Sequence, residues 1–452
     1  MPQWLIRHKW LLIVGAVFIG LMVFAACNGD DDDEGETPVV GETPADGETP
    51  TDAEPPAAGG PLKIGVLTAF TGDLSDFGPA QENAARLAVK EINAAGGVLG
   101  QDVEIVTGDT GTDPSQGVTE ATRLVEIEQV HAILGALSSG VTLPIAESVT
   151  GPNGIVQISS ASTSPALTEA ADSDYLFRTT ISDAAQGVIL AQLATELGLT
   201  SVCTMFINNA YGQGLSEIFA ESFEAEGGTV PAQVPHESEQ ATYASELGEC
   251  TGGTPDALAA VAYPESAGVF LREAVEAGDV STFLFVDGTK STDMFADLGW
   301  DIFDGARGTA PGSLVLAVGD TFDSAYEAEY GEAPPLPFLR EMYDATYLVA
   351  LAAEKAGSTD PTAIRDALRD VANPGGDEVG PGSEGYAAAL AIIAGGGEIN
   401  YEGAAGPVDL DENGDVLIGA IETWTVDAAA EDLVTDEVFR VDLTTGEITK
   451  IE

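Results

Sequence analysis

The chain has 452 residues, of which 75 are acidic and 16 basic, giving a formal net charge of −59. A field of that sign repels phosphate backbones and anionic headgroups, which excludes nucleic acid as a partner, and salt-rich surroundings would be needed to screen the self-repulsion. The three cysteines and three histidines are dispersed, so no metal site and no cofactor is expected.

The first element is a short apolar run. Arg7, His8 and Lys9 precede Trp10 to Phe24, a segment of secretory-signal length that is short for a membrane span. Ala25 and Ala26 then lead to Cys27, and residues 1–26 resemble a bacterial lipoprotein signal peptide, with Phe24 where that lipobox usually has leucine. The resemblance implies cleavage before Cys27 and lipid attachment there, holding the chain at the extracytoplasmic face of a membrane. An uncleaved anchor helix is the alternative. Residues 27–60 repeat GETP from Gly35, Gly41 and Gly47 among Asp, Pro and Thr, the composition of a disordered acidic tether.

From Leu62 onward, short apolar runs alternate with amphipathic stretches. "LKIGVLTAF" is followed by a helix with Ala84, Leu87, Ala88 and Ile92 on one face, then by "DVEIVTGD". Asp113-Pro114 and Asp360-Pro361 read as an N-cap followed by proline at the first helical position. "HAILGAL" and "GIVQISSA" continue the alternation, which begins again after Arg178 with "SVCTMFIN", "ALAAVAY" and "TFLFVDG". One helix between them carries Leu190, Leu193, Ala194 and Leu197 in register. The pattern predicts an α/β protein of two doubly wound parallel-sheet lobes, and the roughly 390 residues beyond the tether suit two cores better than one. Beyond Thr321 the pattern is mostly helical; the Gly-rich stretch 374–406, interrupted by "YAAALAIIA", is expected as a surface excursion.

Ligands of open parallel sheets sit beyond the carboxyl ends of the strands, beside helix N-termini. After "HAILGAL" come Ser138 and Ser139; after "GIVQIS" come Ser162, Thr163 and Ser164; after "SVCTMFIN" comes Tyr211; after "TFLFV" comes Asp287. Hydroxyls in one lobe facing an acid and an aromatic in the other would hold the two ends of a zwitterion, although each residue alone also serves as an ordinary cap. In an oxidising compartment Cys203 and Cys250 suit one disulfide, with two buried free thiols as the alternative. "DLDENGDV" spaces Asp411, Asn413 and Asp415 like a calcium loop with Glu422 at the twelfth place, but Val416 stands where such a loop needs glycine, so an acidic hairpin turn is expected. No phosphate loop and no Ser-His-acid arrangement appears, which argues against an enzyme.

The opening "LKIGVLTAFTGDLSDFGPAQENAARLAVKEINAAGGVLGQDVEIV", with "GALSSGVTLP", "ISSASTSPAL", "FRTTISDAAQG", "NAYGQG" and "FVDG" following in order, resembles the binding proteins of branched-chain amino acid ABC transporters, of periplasmic binding protein type I fold. The resemblance runs from Leu62 to Asp427. It implies that Ser139, Thr163 and the backbone at Ala161 bind an α-carboxylate, that Asp287 takes the α-ammonium, and that Tyr211 closes over the ligand. Phe77 would touch the ligand side chain, and Tyr263 in "VAYPE" matches the family's second-lobe tyrosine approximately, leaving side-chain preference open. Lobe 1 would comprise 61–179 plus 311–411 and lobe 2 180–310 plus 412–452, with hinges near Arg178–Thr180, Gly308–Pro311 and Asp411–Leu417. The implied protein is a lipid-anchored monomer that captures a branched-chain or similarly apolar amino acid and hands it to an ABC permease with its ATPase subunit. A ligand sensor signalling to a membrane partner is the alternative.

Overall fold

The computed structural model describes residues 60–314, 319–331 and 333–451. The signal segment, Cys27 and the tether up to residue 59 lie outside the described residues.

Five strands form the first sheet: β1 (Lys63–Thr68), β2 (Glu104–Asp109), β3 (Ala132–Gly135), β4 (Val156–Ser159) and β5 (Leu176–Arg178), in the order β2-β1-β3-β4-β5. All pairings are parallel. β3 and β4 are buried at every position, as strands covered by helices on both faces must be. The helix Gly78–Ala94 buries Ala84, Leu87, Ala88 and Ile92 against this sheet. Asp113 accepts from Gln116 N at 2.7 Å and Asp360 from Ala363 N at 3.0 Å, so both Asp-Pro pairs start helices as their chemistry requires.

The second sheet contains β6 (Val202–Ile207), β7 (Gln233–His236), β8 (Ala257–Val261), β9 (Phe283–Phe285) and β10 (Arg307–Gly312), parallel to one another. Three antiparallel strands, β13 (Ile418–Asp427), β14 (Asp432–Asp442) and β15 (Glu447–Lys450), extend it to the order β15-β14-β13-β10-β9-β8-β6-β7. β13, β14 and β15 follow one another by tight turns, which permit only antiparallel pairing, while β13 meets β10 antiparallel after the long excursion through the first lobe. In the helix Asp183–Glu196, Leu190, Leu193 and Ala194 are buried, but Leu197 departs from the expected register: it is the C-cap and is 43% exposed. Cys203 of β6 and Cys250 of the helix Ala244–Thr251 are joined by a buried disulfide, S–S 1.92 Å, fastening that helix to the sheet.

The stretch 374–406 corrects the expected surface excursion. β11 (Asp377–Val379) and β12 (Ile399–Tyr401) pair in parallel around the helix Gly382–Ala394, and Tyr386 and Tyr401 are fully buried in the first lobe's core. The aromatic payload outweighs the Gly-rich composition. That core joins residues of β1, β3 and β4 to residues from Phe322 to Val416. The polypeptide therefore passes between the two sheets after β5, after β10 and again before β13.

The segment from Asp411 forms the expected turn: Leu410 and Val416 pair as an antiparallel bridge, and Asp411 Oδ1 accepts from Asn413 N and Asp415 N at 2.7 and 2.9 Å. Among the described residues no group of metal-ligating side chains converges, and no helix is long and apolar enough to cross a membrane.

Candidate functional site

Between the lobes lies a narrow cavity of about 20 Å³, lined by Leu74, Phe77, Leu137, Ser139, Ala161, Tyr211, Tyr263, Asp287, Gly288 and Phe338. That is room for about one water, so a larger ligand needs these walls to part. Six of the seven ligand residues expected from sequence border it; Thr163 is fully buried but stands off the lining.

The hydroxyl side is built on strand ends of the first lobe. Ser139 opens the helix Ser139–Ile145 directly after β3, and its Oγ accepts from Ser164 N at 3.2 Å. Ser159 Oγ, at the end of β4, accepts from the amides of Ala161 and Ser162 at 3.3 and 3.0 Å and donates to the Ala136 carbonyl. The Ala161 amide is thus already engaged at a long distance. Thr163 Oγ1 has no well-formed hydrogen bond. Arg178 fixes this loop from behind: it is almost fully buried, its guanidinium donates to the carbonyls of Thr163 and Ser164 at 3.1 and 3.0 Å, and its Nε meets Asp415 Oδ1 at 2.6 Å. The ion pair thereby joins the hydroxyl loop to the last crossing segment.

The acidic side belongs to the second lobe. Asp287 ends the apolar run of β9, and its Oδ1 accepts from Tyr211 OH at 2.8 Å and Gln186 Nε2 at 2.7 Å. Burial pushes its carboxyl up to about 6, with those two donors pulling it back. Gly288 approaches so closely that an added Cβ would stand 2.5 Å from the Ala262 carbonyl and 3.0 Å from Tyr211 OH, which explains glycine there. Tyr211 and Tyr263 stack with ring centroids 5.5 Å apart, and Tyr263 OH meets Ser138 Oγ of the first lobe at 2.9 Å.

Asp183 was not anticipated from sequence. It sits in the first turn of the helix that follows the β5 crossing, fully buried, with neither carboxylate oxygen hydrogen-bonded. Burial holds its carboxyl well above the usual range; the charge of Asp287 adds to this, while the nearby Thr163 hydroxyl and Arg178 oppose it. The sequence signal was present in "TISDAAQG", but Ser182 followed by an acid reads as an ordinary helix start. Phe338 also escaped notice. It reaches the cavity from the proline-rich "APPLPF" with φ of 74°, a left-handed conformation that is strained for a bulky residue and has no sequence signature.

At the rim, first-lobe carboxylates meet second-lobe hydroxyls: Ser238 donates to Asp73 at 2.6 Å and Ser291 to Asp76 at 2.7 Å. Burial pushes both carboxyls up, and the charges of Glu239 on Asp73 and of Asp293 and Asp297 on Asp76 push the same way.

The sequence matches the family described as periplasmic binding protein over residues 61–383. It is 28% identical over 386 residues to the chemotactic signal transduction system substrate-binding protein BasB of Halobacterium salinarum, covering 83% of this chain and 89% of that one. It is 26% identical over 310 residues to the leucine-, isoleucine-, valine-, threonine-, and alanine-binding protein of Pseudomonas aeruginosa, covering 68% and 82%. Among solved structures, the leucine binding protein LivK of Thermotoga maritima superposes with a TM-score of 0.70 at 25% identity, covering 83% of this chain and 98% of that one.

Proposed function

Because this chain belongs to the periplasmic binding protein family, we propose that it is an extracytoplasmic, lipid-anchored binding protein that holds an α-amino acid with a small apolar side chain between its lobes. The observation that carries this reading is the placement of Asp287, a buried carboxylate that borders the cavity opposite Ser139 and Ala161, between apolar walls of Leu74, Phe77, Leu137 and Phe338, with a second buried carboxylate, Asp183, close enough for the two charges to act on each other. A buried carboxylate without a donor is costly, and two side by side are costlier. A ligand ammonium supplies the missing donors and the opposite charge. Its carboxylate is received by Ser139 and the Ala161 amide at the cavity wall, the latter exchanging its long bond to Ser159 for the ligand, with Thr163 joining them if the loop turns its hydroxyl to the cavity; these neutral donors leave the ligand's own charges balanced. Desolvating both ends costs several kcal/mol per ion unless each is paired, so the site favours molecules that carry both groups over those that carry one.

In this reading lobe 1 is 61–179 plus 311–411 and lobe 2 is 180–310 plus 412–452, and the ligand stabilises the approached form because only approach brings hydroxyls and acids together. The bound form is then recognised at the membrane. We take the recipient to be an ABC permease with its ATPase subunit, serving import rather than catalysis. A second reading, delivery to a chemotaxis receptor, is favoured by the 28% identity to BasB over nearly the whole folded part. Deleting the gene separates them: loss of leucine uptake supports import, and loss of the swimming response with uptake intact supports sensing.

The binding reading itself is tested by thermal shift against amino acids and matched carboxylates. A ligand bound only by the native state raises the midpoint by mass action. Branched-chain amino acids should raise it; a shift with amine-free carboxylates alone would remove Asp287 from its role.

A further inference from the structure

Gln186 lies one turn after Asp183 in the helix Asp183–Glu196, on the same face, and is fully buried without bordering the cavity. Its Nε2 donates to Asp287 Oδ1 at 2.7 Å and to the Thr309 carbonyl at 3.3 Å, while its Oε1 has no partner. Chemistry dictates the orientation, since a carboxylate and a carbonyl both accept and only the amide nitrogen serves both. Thr309 belongs to β10, the strand from which the chain leaves the second sheet for the first lobe's helices. One side chain therefore joins the helix that follows the first crossing, the acid at the cavity wall and the strand of the second crossing.

We propose that Gln186 is a positioning residue for ligand capture: it holds the Asp287 carboxylate aimed at the cavity and registers it against the crossing strand β10. The proposal rests on the reading of Asp287 as partner of the ligand's ammonium. An amide suits this task where a cation would not. Lysine or arginine at this place would neutralise Asp287 and leave the ammonium no charge to answer, whereas a neutral donor favours the ionised carboxylate without cancelling it. The groups facing Asp287 make that help necessary. Asp183 comes from the same helix as Gln186, Tyr211 from the helix Ala210–Ala225 and Tyr263 from the N-cap of Pro264–Ala277; Arg178 acts on Asp183, and Lys290 is paired with Glu422. Tyr211 is the other side-chain donor to Asp287. Of the two, Gln186 alone also reaches a crossing strand.

The test is calorimetric titration of the full chain with L-leucine and with 4-methylpentanoate, its amine-free counterpart, between pH 5 and pH 8.5. The variants are Gln186→Met, Gln186→Asn and Asp287→Asn, with melting curves to verify folding. Gln186→Met, which keeps length and loses the donor, should weaken L-leucine about tenfold or more at pH 7. It should also move the acid limb of the affinity profile to higher pH, with most of the loss recovered by pH 8.5. Affinity for 4-methylpentanoate should change far less. Gln186→Asn, whose shorter arm cannot span both acceptors, should show the same pattern in weaker form and serves if the Met variant does not fold. An unmoved pH profile, or equal losses for both ligands, would overturn the positioning role while Asp287→Asn still abolished L-leucine binding. If Asp287→Asn bound L-leucine like the native chain, or the native chain did not bind it, the ammonium reading and this proposal would fall together.

Discussion

The cleft holds carboxylates in two settings, and they are satisfied differently. At the rim, Asp73 and Asp76 each accept a serine hydroxyl from the opposite lobe. Inside, Asp287 takes its side-chain donors, Gln186 and Tyr211, from its own lobe, and the Asp183 carboxylate has no well-formed hydrogen bond, only the Thr163 hydroxyl nearby. Burial pushes all four carboxyls up. The rim acids are thus answered across the cleft by the approach of the lobes itself, whereas Asp287 is answered only by neutral donors of its own lobe, which leave its charge for a ligand cation to meet. The same functional group acts as a latch in one place and as a binding determinant in the other, according to whether its donor comes from the opposite lobe or from its own.

The sharpest way to break this comparison is to neutralise one acid from each setting. Asp287→Asn should lower affinity for an amino-acid ligand by more than about a hundredfold, because it removes one partner of a desolvated ion pair. Asp73→Asn should change it by no more than about threefold. Calorimetry on both variants decides; equal losses would mean that the inner acids are no more than latches.

Changes of pH should pull stability and binding in opposite directions. The Asp287 carboxyl sits at about 6 in the free protein, against an ordinary value of 3.8, so the native state holds a proton that the unfolded chain releases. Its contribution to stability is present in full below the ordinary value and is lost as pH rises through about 6. Glu341, pushed up to about 8 by burial, extends the same trend to higher pH. The melting midpoint without ligand should therefore be higher at pH 5 than at pH 7.5, other groups being equal. Affinity should fall about tenfold per pH unit below 6, since the proton competes with the ammonium. Parallel melting curves with and without ligand would reveal any failure of this opposition.

A steric change tests whether approach of the lobes matters to both settings. Gly140 in the first lobe faces Asn209 in the second, and an added Cβ would stand 2.9 Å from the Asn209 Cβ. Gly140→Ala should weaken ligand binding several-fold to about tenfold by holding the lobes apart. Small-angle scattering with ligand present should show a larger radius than the native chain; an unchanged radius and affinity would mean that the contact yields easily. The smallest effect is expected from salt. The rim gathers Asp73, Asp76, Glu239, Glu265, Asp293 and Asp297 from both lobes, and their like charges add to burial in raising the carboxyls of Asp73, Asp76 and Glu265. Raising salt should tighten binding about two- to threefold, and the double change Asp73→Asn, Asp76→Asn should flatten that response.

Much of the architecture was legible because its causes are local. Alternating apolar runs and amphipathic stretches announced the strands and helices, and Asp113-Pro114 and Asp360-Pro361 marked two helix starts that depend on chemistry within one turn. Residues after strand ends gave Ser139, Tyr211 and Asp287 for the same reason. Asp183 was hidden because its local role, an acid in a first helical turn, is ordinary, and only its burial beside Asp287 makes it unusual. Phe338 was hidden by a backbone conformation that proline-rich sequence does not encode in any recognisable pattern. The stretch 374–406 was misjudged because glycine content describes flexibility, while Tyr386 and Tyr401 describe burial.

What the sequence by itself determined was the list of elements, their order and which residues stand at their ends. Periodicity, capping and turn chemistry act over a few residues, and these suffice for that list. The tertiary structure alone decided that an acid after β9, another after β5 and an amide one turn further would meet, with the Arg178 guanidinium engaged by Asp415 and the loop carbonyls rather than hydrogen-bonded to either acid. Such meetings depend on crossings between lobes and on packing among distant segments, where the cost of an unpaired buried charge is set by every neighbour at once.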